Sequence, residues 1–195
     1  KSKSLFYNHA INFLRKRGLD KIDIKKYKIG FCDDGVYQNR IIVPSYDENG
    51  LLNYFVGRSF MGGMKYKNPN VSRDIVPFDW FIAWSYPIVL CEGVFDAISI
   101  RTNAIPMLSK KPSKSLLKKI FEKKVKTIYI ALDEDAKKDA YNLSEFFRDF
   151  GIDSKVVKLP KDKDPNDLGF EKMNNLIDKT ISSSFSDMIQ AKLYG

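Results

Sequence analysis

After Pro87 the chain settles into short apolar runs that alternate with longer amphipathic stretches, and this alternation restricts the fold more than any other feature. Ile88-Val89-Leu90-Cys91 is apolar at four consecutive positions, as in a strand covered on both faces. The pattern predicts a helix over 96–102, a strand over 105–108, a basic helix over 113–124 and a strand over 127–132. A helix over 140–150 and a strand over 155–159 complete the run. Strand–helix alternation at this spacing implies βαβ units, right-handed crossovers and a mostly parallel sheet. Ligands of such sheets gather at the carboxyl ends of the strands.

The first 87 residues read differently. Leu5, Phe6, Ala10, Ile11, Phe13 and Leu14 repeat at helical spacing up to Arg15-Lys16-Arg17-Gly18, where the basic residues suit the negative helix end and glycine marks the stop. A second short helix is expected over 23–27. Arg40-Ile41-Ile42-Val43-Pro44 reads as a strand, Asp47-Glu48-Asn49-Gly50 as a turn, and 51–56 as its hairpin partner. Residues 57–70 read as a basic, aromatic, glycine-bearing loop, and 71–87 as a connection between lobes. Residues after Gly169 read as a terminal helix with a Ser-rich interruption. The expected fold is thus an α/β unit over 87–168, a mostly parallel sheet flanked by helices. A smaller α+β lobe precedes it over 1–86, and a helical segment follows over 169–195.

At 195 residues, 44% hydrophobic and 13% aromatic, the chain has the material for a packed core, which excludes wholesale disorder. No apolar run approaches the roughly 18 residues of a membrane span, and no secretory segment is seen. The chain begins with Lys1 rather than Met, which reads as part of a longer protein. Cys32 and Cys91 stand far apart with no C-x-x-C partner, which argues against a disulfide scaffold or a Cys/His zinc site in these residues. His9, the one histidine, falls on the first helix and carries no expected chemistry. A formal charge of +9, with 33 basic against 24 acidic residues, points to a polyanionic partner, nucleic acid rather than membrane. Eight lysines between 110 and 126, against the single acid Glu122, form either a solvated helix face or a second basic surface.

Three acidic positions follow successive strands. Glu92-Gly93 ends the first, and Asp133 and Asp135 end the third, two residues apart. Asp162, Asp164 and Asp167 follow the last. Clustered carboxylates repel one another unless a cation intervenes, and oxygen ligands suit Mg²⁺, which binds a few carboxylates together with water and phosphates. Each acid also has a plain structural reading, since Asp96 and Asp135 stand where helix-start residues stand.

Leu90-Cys91-Glu92-Gly93-Val94-Phe95-Asp96-Ala97 followed by Ala131-Leu132-Asp133-Glu134-Asp135-Ala136 resembles the Toprim domain, with its glutamate after the first strand and D-x-D after the third. Arg40–Pro44, Asp47, Gly50, Gly57-Arg58 and Lys65-Tyr66-Lys67-Asn68-Pro69, with Arg17-Gly18-Leu19 and Lys28-Ile29-Gly30 before them, resemble the amino-terminal lobe of bacterial-type and phage DNA primase cores. Leu159-Pro160-Lys161-Asp162-Lys163-Asp164-Pro165 resembles the primase segment after the last Toprim strand. The resemblance spans roughly residues 5–168.

It implies nucleotidyl transfer that joins ribonucleoside triphosphates into RNA primers on a single-stranded DNA template, with Mg²⁺ or Mn²⁺, two ions. Glu92 would be ligand or general base, Asp133 and Asp135 ligands, and Asp96 and Asp164 supporting acids. Arg40, Arg58, Lys65, Tyr66 and Asn68 would hold the template, the RNA–DNA hybrid and triphosphates. A replicative helicase or a zinc-binding module, in cis or in trans, would be the partner, inside a bacterium or phage-infected cell. The sequence departs from the family at Lys137-Lys138, where many bacterial primases have glycine. Asn166 stands where a second aspartate is frequent, which leaves Asp167 as its substitute. Two other functions share these acids: a Toprim phosphodiesterase of nuclease or topoisomerase type, and a non-catalytic nucleic-acid-binding module.

Overall fold

The computed structural model describes residues 5–180 and Leu193; the Ser-rich interruption lies outside them. Helix α1 spans Leu5–Lys16 and stops at Gly18, whose φ of +73° suits a residue without a side chain. Helix α2, Lys21–Lys26, starts two residues earlier than expected because Asp20 caps it: its carboxylate accepts from the Ile22 and Asp23 amides while Asp23 reaches back to the Asp20 amide.

Strands β1 (Gly30–Cys32), β2 (Arg40–Tyr46), β3 (Leu52–Ser59) and β4 (Tyr66–Lys67) form an antiparallel sheet in that order. Asp47 sets the β2–β3 turn by accepting from the Asn49 and Leu51 amides, both at 2.9 Å. The expected loop over 57–70 is corrected here. Gly57 and Arg58 belong to β3 and pair with Lys67 and Tyr66. A Cβ on Gly57 would collide with the Lys67 carbonyl, so glycine serves this close strand pairing rather than a loop.

The second sheet is parallel throughout, in the order β6 (Ala104–Pro106), β5 (Ile88–Cys91), β7 (Thr127–Ala131), β8 (Asp153–Val156). Every β5 residue is buried. Val89 and Cys91 face a core shared with Ile41, Val43, Tyr54 and Val56 of the antiparallel sheet, together with α1, α3 (Val94–Ile100) and α6 (Pro165–Lys179). Ile88 and Leu90 face the opposite core under α4 (Lys114–Glu122) and α5 (Lys137–Asp149). The unbroken apolar run of the sequence therefore reflects two different cores.

Helix α6 begins at Pro165, capped by Asp164, and not after Gly169; Gly169 marks a kink at φ +70° inside it. The connection over 71–87 carries a short 3₁₀ turn, Asp79–Phe81, preceded by fully buried Phe78 at φ +61°. The Phe78 amide donates to buried Ser45 Oγ at 2.9 Å, and this bond holds a backbone conformation costly for a bulky residue. Among the described residues no helix is long and apolar enough to cross a membrane.

Candidate active site

Strand β5 ends in Cys91, and the chain turns at once into α3, which sets Glu92 and Gly93 at the sheet's carboxyl edge. The turn does not need a left-handed glycine, since Gly93 has φ −115°. It needs space: a Cβ there would stand 2.9 Å from Asp96 Oδ2. Asp96 uses that space to accept from the Gly93 backbone amide at 2.9 Å and from the Asn166 backbone amide. Asp96 is thus tied into the start of its helix, and burial, reinforced by Asp164, pushes its carboxyl up to about 7.

Strand β7 ends one residue before Leu132, and Asp133 follows in extended conformation. Asp133 is half-buried, and its Oδ1 is enclosed without any hydrogen-bond partner. Burial first, then the charges of Glu92, Asp164 and Asp135, push its carboxyl up to about 6. Asp135 lies in the 3₁₀ turn before α5 and caps nothing; exposed, it pairs with Lys110 at 2.7 Å. Asp164 caps α6 by accepting from the Asp167 amide at 2.6 Å. Asp133, Asp135, Asp162, Asp164 and Asp167 line one open cleft of about 490 Å³ with Glu134 and Lys163. Glu92 opens instead onto a neighbouring cleft of about 320 Å³, shared with Gly93, Tyr66, Asn68 and Arg73, so this second cavity is walled by both sheets.

The residue types fit a divalent cation. A buried carboxylate oxygen without a donor, in a field of like charges, is the arrangement a cation relieves. Among the described residues no three acidic or sulfur/imidazole groups converge to enclose an ion by themselves, so substrate oxygens and water would complete the shell, as is usual for Mg²⁺.

The basic residues divide. Arg58 sits behind the cleft-lining Tyr66, its guanidinium 4.7 Å from the Tyr66 ring centroid and 5.8 Å from that of Phe13. Its Nε and Nη1 are buried without hydrogen-bond partners, and burial lowers its pKa. Lys65 is exposed. Arg40 donates to the Met64 carbonyl at 3.0 Å and holds the 60–65 loop, while Asn68 Oδ1 accepts from the Gly57 amide at 3.3 Å. Asn166 joins the lobes: it donates to the Arg17 carbonyl and Ser99 Oγ, and its Oδ1 accepts from Arg17. Arg73 and Lys110 escaped the sequence reading. Arg73 is a lone cation in a connection, and Lys110 was one of eight lysines, so neither carried a distinguishing local pattern.

Residues 89–169 match the Toprim-like family. Over 177 residues the chain is 30% identical to Uncharacterized protein MG010 of Mycoplasma genitalium, covering 83% of this chain and 80% of that one. It is 23% identical over 198 residues to a DNA primase of Clostridium acetobutylicum, covering 90% of this chain and spanning 33% of the enzyme. A DnaG primase catalytic domain bound to ssDNA superposes with a TM-score of 0.79 at 17% identity, covering 98% of this chain and 77% of that one. At that identity the likeness is one of fold.

Proposed function

The chain belongs to the family of the Mycoplasma genitalium protein MG010 and carries a Toprim domain set in the fold of a DnaG primase catalytic core, and from that premise we propose that it is the polymerase core of a DNA primase, making RNA primers on single-stranded DNA. The observation that carries the proposal is the cleft that puts Glu92 and Gly93 of the Toprim sheet in one cavity with Tyr66, Asn68 and Arg73. Acids alone would serve any Toprim phosphodiesterase. A basic and aromatic wall facing them suits a template and triphosphates, which bring phosphates that need cations of their own.

In this reading residues 1–86 supply the strand-holding wall and 87–168 the metal-binding acids. Asp133 and Asp135 would hold Mg²⁺ or Mn²⁺ from one cleft and Glu92 from the other, with water and phosphate oxygens completing the shell, Asp164 beside them and Asp96 positioning the Glu92-Gly93 turn. A metal held there would supply a lowered pKa for the primer 3′-hydroxyl and charge neutralisation for the leaving pyrophosphate. Lys110 pairs with Asp135 at 2.7 Å and orients its carboxylate. Arg58 lies against the Tyr66 ring with two buried donors unspent, so it would take a phosphate oxygen once that ring shifts aside. Lys65 adds an exposed cation beside the Tyr66 ring, while Arg40 and Asn68 act mainly by fixing the loop and strand around it. A replicative helicase or a zinc-binding module, in cis or in trans, is the proposed partner inside the cell.

The test is incorporation of labelled ribonucleotides from a pre-annealed RNA primer on a single-stranded template with Mg²⁺ or Mn²⁺, beside a degradation control on the same strand. We expect extension, and we expect Asp133→Ala to abolish it. Cleavage without incorporation, lost in Glu92→Gln, would assign the site to a nuclease instead.

A further inference from the structure

We propose that a DNA strand held in the inter-lobe cleft continues past Arg73 into a second basic groove, where Lys111 and Lys114 bind its phosphates; this extension rests on the primase-core reading. The cleft of about 320 Å³ that contains Glu92 and a groove of about 540 Å³ beside the amino end of α4 share Arg73 and Leu108 as walls. The two cavities are therefore neighbours, and Arg73 stands at the passage between them.

The charges along this path differ from the rest of the lysine-rich stretch. Lys110, Lys118, Lys119 and Lys123 are in ion pairs, with Asp135, Glu122, Glu48 and Asp79, and Glu48 respectively. Arg73, Lys111 and Lys114 are exposed and make no ion pair among the described residues. Asp74 shares the groove and feels the charge of Lys114 without forming an ion pair with it, its Oδ1 being engaged by the Ser115 amide at 2.8 Å. The Leu116 amide is taken by Ser113 Oγ. The α4 terminus thus has these donors already spent, and the cations offered to a strand are side chains.

The groove is also preformed. Ser113 Oγ donates to the Ile75 carbonyl at 2.6 Å and Ser115 Oγ to the Asp74 carbonyl at 3.2 Å, which fastens the loop carrying Arg73 onto α4. A surface that is already ordered spends little binding energy on ordering. A line of exposed cations outside ion pairs, leading out of the carboxylate cleft, matches the repeating phosphates of a single strand better than the irregular charges of a folded protein partner. Leu108 and Pro112 add apolar wall for the bases.

The experiment is fluorescence anisotropy of the full chain with single-stranded DNA of roughly 4 and roughly 16 nucleotides, the range of single-strand site sizes. The longer strand should bind about tenfold more tightly at low salt. Lys111→Gln/Lys114→Gln should remove most of that gain, leave the short strand's affinity unchanged, and flatten the log–log salt slope by about 1.4, at about 0.7 per lost contact. Both substitutions are at exposed sites, and an unchanged thermal midpoint would show that the fold is kept. A length gain that survives the double substitution overturns the groove, as does a wild-type protein that binds both lengths equally, while the cleft reading stands. Binding of neither length removes the cleft reading and the groove with it.

Discussion

Asp133 concentrates the electrostatic conflict of the site in one side chain. Its buried Oδ1 has no donor, and Glu92, Asp164 and Asp135 all oppose its ionisation. In the metal-free protein the charge is therefore unfavourable, and Asp133→Asn should raise the thermal midpoint in EDTA while lowering nucleotide transfer at least about a hundredfold, the scale for loss of a group that supports a metal. Adding Mg²⁺ should raise the midpoint of the wild type and leave that of Asp133→Asn nearly unmoved. Thermal scans with and without EDTA test this independently of turnover. A wild type indifferent to Mg²⁺ would remove the metal from Asp133.

Elements that bury a whole strand or a whole helical face could be read from sequence; those made by side chain–backbone bonds could not. Strand β5 coincides with the apolar run 88–91 because both of its faces are covered. Strand β4 has two residues, and its pairing depends on Asn68 and on the missing side chain of Gly57, so no periodicity announces it. Helix α6 begins earlier than the glycine pattern suggests: Gly169 resembles a break, whereas Asp164 and Pro165 already supply the cap and the first turn. The acids at the strand ends were visible as a pattern, but the commitment of Asp96 to the Gly93 amide and of Asn166 to Arg17 depends on contacts distant in sequence. Capping also gives a prediction at this scale. Ser113 caps α4 and at the same time bonds to the Ile75 carbonyl, so Ser113→Ala should cost about 1–2 kcal/mol in urea unfolding. A loss below a few tenths would mean that water replaces both bonds.

Across the molecule, the two sheets are joined by a few polar ties laid over a common apolar core. Arg101, at φ +59° after α3, reaches back to buried Asp23 at 2.6 Å and to Asp20 at 3.2 Å. Removing the cation leaves Asp23 enclosed without its partner. Asp23 is buried but Arg101 keeps about a third of its side chain exposed. Arg101→Met should therefore destabilise by about 1–3 kcal/mol, the range for a buried polar group left short of a partner, and part of that loss should persist at high salt. Urea titrations at low and high ionic strength measure both. A loss that vanishes at high salt would make this tie a surface contact.

Cys91 closes β5 completely buried, its thiol directed at the Gly93 and Ile105 carbonyls, one residue before Glu92. Cys32, on the antiparallel sheet, is partly exposed. The protein therefore carries two intrinsic clocks. An alkylating reagent should consume Cys32 promptly and reach Cys91 only when β5 pulls away from its neighbours, so the second rate reports how often the carboxylate end of the sheet comes apart. A cation that binds only the closed arrangement must slow that second rate in proportion to its occupancy, and occupancy of the site becomes readable by mass without any substrate.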